Sequence, residues 1–118
     1  MVIVLVRTKV RSDADLAAYA ALNTQMEALL RSLPGFIDVN GYASANGDEV
    51  GVVRFESLAT LRAWREHPEH RAAQARGRSE FYASYRIEVT EVVRAYEFTS
   101  EAGRTVVVDQ DPTSLAVT

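Results

Sequence analysis

The stretch from Arg54 to Tyr85, RFESLATLRAWREHPEHRAAQARGRSEFYASY, decides the fold. It carries the chain's single Trp and both of its His. A strand-like run ends at Glu56, and Ser57 suits a helix N-cap because its hydroxyl can accept an orphan backbone N–H. Leu58, Leu61 and Trp64 then recur at helical spacing, so one face is apolar. Pro68 would cost about 3 kcal/mol inside a helix but is tolerated at the first helical position. The pattern predicts a short helix, a break at His67, and a second helix from Pro68 to Arg76. Gly77 is expected to end that helix in the left-handed conformation.

Upstream, Val2 to Val10 is rich in β-branched residues and reads as the first strand. Ser12 with Asp15 makes a capping-box-like start to a helix. Leu16, Tyr19, Leu22, Met26, Leu29, Leu30 and Leu33 follow as one apolar stripe, closed by Pro34-Gly35. Phe36 to Ser44 reads as a strand, Asn46-Gly47 as a hairpin turn in which both residues accept positive φ, and Glu49 to Glu56 as its partner strand. Tyr85 to Phe98 reads as a long final strand, with a bulge at Val92-Val93 where the alternation slips. The order β-α-β-β-α-β is the ferredoxin-like split arrangement, an α+β fold with an antiparallel four-stranded sheet. Residues 1–98 form this domain. Residues 99–118 form an extension in which Thr105 to Asp109 is a candidate extra strand, pairing with a sheet of the same chain or a partner's; beyond about residue 111 a frayed end is expected.

Composition narrows the function. At 118 residues the chain is one domain, and 47% hydrophobic with 25% charged residues is ordinary for a globular protein. The net charge is −3 with both signs interspersed, so there is no clustered basic face for nucleic acid. With no Cys, disulfides, zinc–thiolate sites and thiol nucleophiles are excluded. No run approaches the roughly 20 apolar residues of a membrane span, and nothing resembles a signal peptide, so a cytoplasmic location is expected.

The first strand places Val2, Val4 and Val6 on one face and Ile3 and Leu5 on the other. The last strand divides Ile87 and Val89 from Val92, Tyr96 and Phe98. Two helices can cover only one face of a sheet, so an apolar outer face on the first and last strands calls for a second layer. A second copy of the chain is the economical cover, and a homodimer is expected.

The Phe55-Glu56-Ser57 strand exit, the helical Trp64, the His67-Pro68-Glu69-His70 break and the Gly77, Tyr82, Tyr85 return resemble the antibiotic biosynthesis monooxygenase family of dimeric α+β barrel proteins. With matching element order, the resemblance covers about residues 2–98. It implies face-to-face packing of two sheets, and oxidation of small aromatic or polyketide-like phenols by O2 without a bound cofactor. In such chemistry the substrate enolate supplies the electron, so the protein need only bind, deprotonate and shield. Characterised members carry an Asn near the exit of the third strand and a Trp at the helix start, where this chain has Arg54 and Leu58.

Trp64, Phe81, Tyr82 and Tyr85 are the candidate walls of a cavity, with Arg54 as a further substrate-binding residue. Arg54 and Arg86 are placed to stabilise a phenolate. His70 or His67 would take the proton near neutral pH. The plainer readings are core packing for the aromatics and surface ion pairs for the arginines. A metal is not expected: His67 and His70 lack a third His or any Cys. Haem-degrading relatives share the pattern from Glu56-Ser57 to Trp64, but their iron-ligating His falls on Ala73 or Gln74 here and their strand-one Asn on Arg7 or Thr8. His70, nearly a turn early, is the candidate ligand on that alternative. A non-catalytic small-molecule-binding protein of the same fold is the other.

Overall fold

A computed structural model describes residues 1–110; the tail expected to fray beyond about residue 111 lies outside the described residues. Four strands form one antiparallel sheet in the order β2-β3-β1-β4: β1 (Val2–Val10), β2 (Phe36–Ala43), β3 (Glu49–Phe55) and β4 (Tyr82–Glu91). Helices α1 (Leu16–Ser32), α2 (Leu58–Arg65) and α3 (Pro68–Arg76) accompany it in the ferredoxin-like α+β arrangement. The core lies between sheet and helices. Val2, Phe55 and Leu61 are completely or almost completely enclosed, with Val4, Leu30 and Val53 around them. No helix among the described residues is long and apolar enough to cross a membrane.

Local chemistry sets most boundaries. Ser57 and Thr60 form a reciprocal capping box at the start of α2. Pro68 begins α3, and the His67 ring nitrogen Nδ1 caps it by accepting the Glu69 N–H at 3.2 Å. At α1 the cap is Asp15 rather than a Ser12 box: its carboxylate accepts the Ala18 N–H at 3.0 Å, and the helix begins at Leu16. In the 44–48 loop only Gly47 has positive φ; Asn46 instead uses its side-chain oxygen to accept the Asp48 N–H.

Gly77 departs from expectation. Its φ is −57°, so it is not a left-handed stop. The chain continues into a wide i→i+5 turn, Gly77–Phe81, and glycine is required there because a Cβ would collide with the Tyr82 ring. Arg11 binds this turn from across the domain. Its guanidinium donates to the carbonyls of Arg78, Ser79 and Tyr82 at 2.7, 2.9 and 3.0 Å, and its own N–H donates to the Phe81 carbonyl.

The expected long last strand is two strands. β4 stops at Glu91, where Val92 donates its N–H to the Met1 carbonyl, and the backbone turns out of the sheet. β5 (Arg94–Thr99) then pairs with β6 (Gly103–Asp109) as a separate two-stranded sheet. The expected 105–109 strand lies within β6, and Gly103, at φ +71°, makes the turn. This hairpin packs chiefly on itself. With it the radius of gyration is 16.8 Å, against about 13 Å for a compact chain of this length.

The division of faces on the last strand also needs correction. Ile87 and Val89 share the helix side with Val4 and Val6, and the outer side of β4 presents Arg86, Glu88 and Thr90. Tyr96 and Phe98 belong to the hairpin. The apolar outer strip comes instead from Ile3, Leu5, Val50 and Val52 of β1 and β3.

Candidate functional site

The break between α2 and α3 builds the site. α2 buries Leu61 and sets Trp64 half-buried at the edge of the core. Because the chain turns at His67, α3 folds back and brings His70 against Trp64. Their rings stack 3.7 Å apart at 18°, and His70 Nδ1 lies 2.9 Å from the Trp64 carbonyl oxygen. A carbonyl only accepts, so Nδ1 carries the hydrogen and Nε2 is the nitrogen left with a lone pair. Burial holds the imidazole below its ordinary pKa, a bias partly offset by the carbonyl bond and reinforced by His67. His70 is therefore a neutral base at neutral pH.

Trp64 and His70 stand over a cavity of about 280 Å3. Its floor is the helix side of β1 and β4, with Val4, Val6, Ile87 and Val89, and its roof includes Leu22 and Met26 of α1. Tyr82 and Tyr85 close one end, their rings 5.8 Å apart. Tyr82 also meets Tyr19 edge-on at 5.8 Å, and the Tyr19 hydroxyl donates to Glu49 at 3.2 Å. Burial, the adjoining Tyr19 and the Glu49 charge push the Tyr82 phenol far above its ordinary pKa, so it stays protonated, its hydroxyl hydrogen-bonded with that of Tyr19. Tyr85, Ile87 and Val89 remain about two-fifths exposed, because the helices do not reach over β4.

The structure gathers Trp64, His70, Tyr82 and Tyr85 around the cavity and leaves four other candidates outside it. Phe81 is enclosed in the core against Tyr19, at 5.3 Å. His67 caps α3. Arg54 pairs with Asp38 at 3.1 Å, and Arg86 lies 3.4 Å from Glu88; both pairs sit on the outer face of the sheet. Thr8, Asn23, Arg65 and Gln74 line the cavity without a sequence motif to announce them. Asn23 borders the apolar stripe of α1, which is the one signal that pointed there.

Among the described residues no three His, Cys, Asp or Glu side chains come together as a metal set. His70 is the one His in the cavity wall among the described residues; Ala73 and Gln74, the positions expected for an iron-ligating His, line it without a metal-binding side chain.

A βαββαβ domain with an aromatic-walled cavity under a broken helix belongs to the class of small ferredoxin-like α+β proteins. The chain belongs to the antibiotic biosynthesis monooxygenase family, whose model matches residues 1–76. It is 34% identical to the uncharacterized protein YqjZ of Bacillus subtilis (strain 168) over 87 residues, 74% of this chain and 75% of the relative. Rv0793 of Mycobacterium tuberculosis superposes with a TM-score of 0.67 at 26% identity, covering 77% of this chain and 93% of that one. SnoaB of Streptomyces nogalater, a cofactor-independent oxygenase, superposes with a TM-score of 0.64 at 13% identity, covering 77% and 91%.

Proposed function

We propose that the protein is a cofactor-independent monooxygenase acting on a small phenol or enol with O2. The observation that carries this reading is the Trp64–His70 stack over the cavity. It supplies a flat apolar wall for a ring beside a neutral base whose free nitrogen is fixed by the Trp64 carbonyl. His70 Nε2 takes the phenolic proton, and the apolar walls disfavour solvation of the resulting enolate. The ring carbon then gives one electron to O2, and recombination of the radical pair forms a C–O bond to peroxide. Imidazolium returns the proton, giving a hydroperoxide. Loss of water, formed from the hydrogen remaining on that carbon and the distal OH, leaves a carbonyl. The four-electron oxidation of CH2 to C=O thus matches O2 reduced to water and the product oxygen. Tyr82, held protonated, closes one end of the ring site together with Tyr85.

Oxygen uptake with a panel of anthrones and naphthols tests the reading, with quenching of Trp64 fluorescence recording binding separately. Turnover that disappears in His70→Ala while quenching persists supports it. Saturable quenching with no uptake by the unaltered protein identifies a binding protein of the same fold instead.

The working unit in this reading is a homodimer. Ile3, Leu5, Val50 and Val52 form an apolar strip between the Arg54–Asp38 and Arg86–Glu88 pairs. The β5–β6 hairpin exposes Tyr96, Val106, Val107 and Phe98, the last 72% open. An isolated two-stranded hairpin is marginally stable in water, so a second copy is its natural support.

A further inference from the structure

The middle row of residues across the helix side of the sheet reads Gly41, Gly51, Val6, Ile87. The rows beside it read Val39, Val53, Val4, Val89 and Ala43, Glu49, Thr8, Tyr85. In the middle row, side chains thus stand over β1 and β4 and are missing over β2 and β3. Neither glycine is needed by its backbone, since the positive-φ glycines lie elsewhere. A Cβ would meet nothing within 4 Å at Gly41, and only Val6, near 3.8 Å, at Gly51. Glycine inside a strand weakens it and often marks the close approach of another group. Above this pair lies a hollow of about 550 Å3, reaching up to α1. It shares Val6, Thr8, Asn23, Met26, Trp64 and Tyr82 with the cavity beside His70. The two form one trough across the sheet, about 14 Å from β4 to β2 at three strand spacings.

The two ends differ in charge. Arg65 and His70 line the first, whereas the hollow over the glycines has no Lys, Arg or His in its wall among the described residues. Its two carboxylates are Glu27 and Glu49. Glu27 is already paired with Arg31 at 2.8 Å. Among the described residues Glu49 accepts the neutral Tyr19 hydroxyl and pairs with no cation, so its carboxylate is left to the hollow.

We infer that this hollow is a second subsite, for a slim substituent carrying a basic amine on the ring bound at Trp64; this rests on the reading of the Trp64–His70 end as the ring site. The ligand is an elongated phenol, its flat head over Val6 and Ile87 and its ammonium at Glu49. Glycine at positions 41 and 51 leaves the depth through which the tail passes.

Quenching of Trp64 by four probes tests this: 1-naphthol, and 1-naphthols bearing a butoxy, a 4-aminobutoxy or a 3-carboxypropoxy tail at C5. The aminobutoxy compound should bind at least tenfold more tightly than 1-naphthol and at least fivefold more tightly than the butoxy compound, with the carboxylate weakest of the tailed probes. Gly41→Val suits a strand and raises the floor of the hollow, so it should bring the ratio of tailed to bare affinity close to one. Glu49→Gln should abolish the preference for amine over butoxy. Equal binding of charged and uncharged tails, or a tail advantage that survives Gly41→Val, overturns the inference. Should 1-naphthol itself fail to quench, the ring-site reading falls, and butylamine then probes the hollow alone through the Gly41 and Gly51 amide resonances. Saturable shifts that disappear in Glu49→Gln uphold the amine subsite, and their absence overturns it.

Discussion

The imidazole of His70 lies face to face with the indole of Trp64, 3.7 Å between ring centres, and donates from Nδ1 to the carbonyl of that same residue. One residue therefore fixes both the plane and the tautomer of the other. The arrangement exists because Pro68 starts a new helix in place of a continued α2, which turns the first turn of α3 back over Trp64.

The pH profile follows from this pair. His70 is held below its usual value of 6.5 mainly by burial, so the neutral base persists into mildly acidic solution. Turnover per unit of substrate should be level near neutrality and fall only below pH 6.5. Stability should move the same way. Because the unfolded chain binds that proton more readily, lowering the pH through and below 6.5 should depress the melting temperature. The kcat/KM profile of the unaltered protein between pH 4.5 and 8 checks the first dependence, and His70→Gln, which removes the titrating ring, should flatten the second in thermal melts over the same range.

Trp64→Phe keeps most of the apolar volume, and the fold should survive. The stack with His70 and the indole wall are lost, so ligand binding or turnover should weaken tenfold or more, about 1.4 kcal/mol. An unchanged affinity with a lowered melting temperature would show that Trp64 serves the core alone.

Gly77 and Tyr82 should be energetically coupled. A Cβ at position 77 collides with the Tyr82 ring, so Gly77→Ala should cost about 1–3 kcal/mol, the usual range for overpacking. In a Tyr82→Ala background the same substitution should cost much less, because the ring it strikes is gone. Denaturant melts of the two single variants and the double variant give the coupling directly.

The outer strip supplies a test of assembly. At about 25 cal/mol per Å2, covering several hundred Å2 of apolar surface is worth on the order of 10 kcal/mol before association costs. Light scattering at micromolar concentration should give the mass of a dimer. Leu5→Glu, in the middle of the strip and 37% exposed in the single chain, should give the mass of a monomer with the strands still formed. A monomeric mass for the unaltered chain would remove the face-to-face dimer.

Much of this protein is determined by the sequence alone, because much of it is local. Ser57, Pro68 and Gly47 act over a few residues, through a hydroxyl, a ring and a missing Cβ, and each stands where its chemistry predicts. The stripe on α1 and the alternation on β1 are equally local, so the βαββαβ order and half of the cavity wall can be read from them. Other features depend on register between distant segments. Gly77 resembles a helix stop until Tyr82 is seen above it. β4 and β5 read as one long strand in sequence, and only the bond from Val92 to Met1 and the pairing with β6 part them. Arg11 reaches carbonyls on the far side of the domain, a contact no spacing rule reports. The Gly41–Gly51 pair exists only once two strands are aligned, since a hollow is made by neighbours across a sheet rather than along a chain. Short-range propensity chose the elements, and long-range alignment placed the empty space between them.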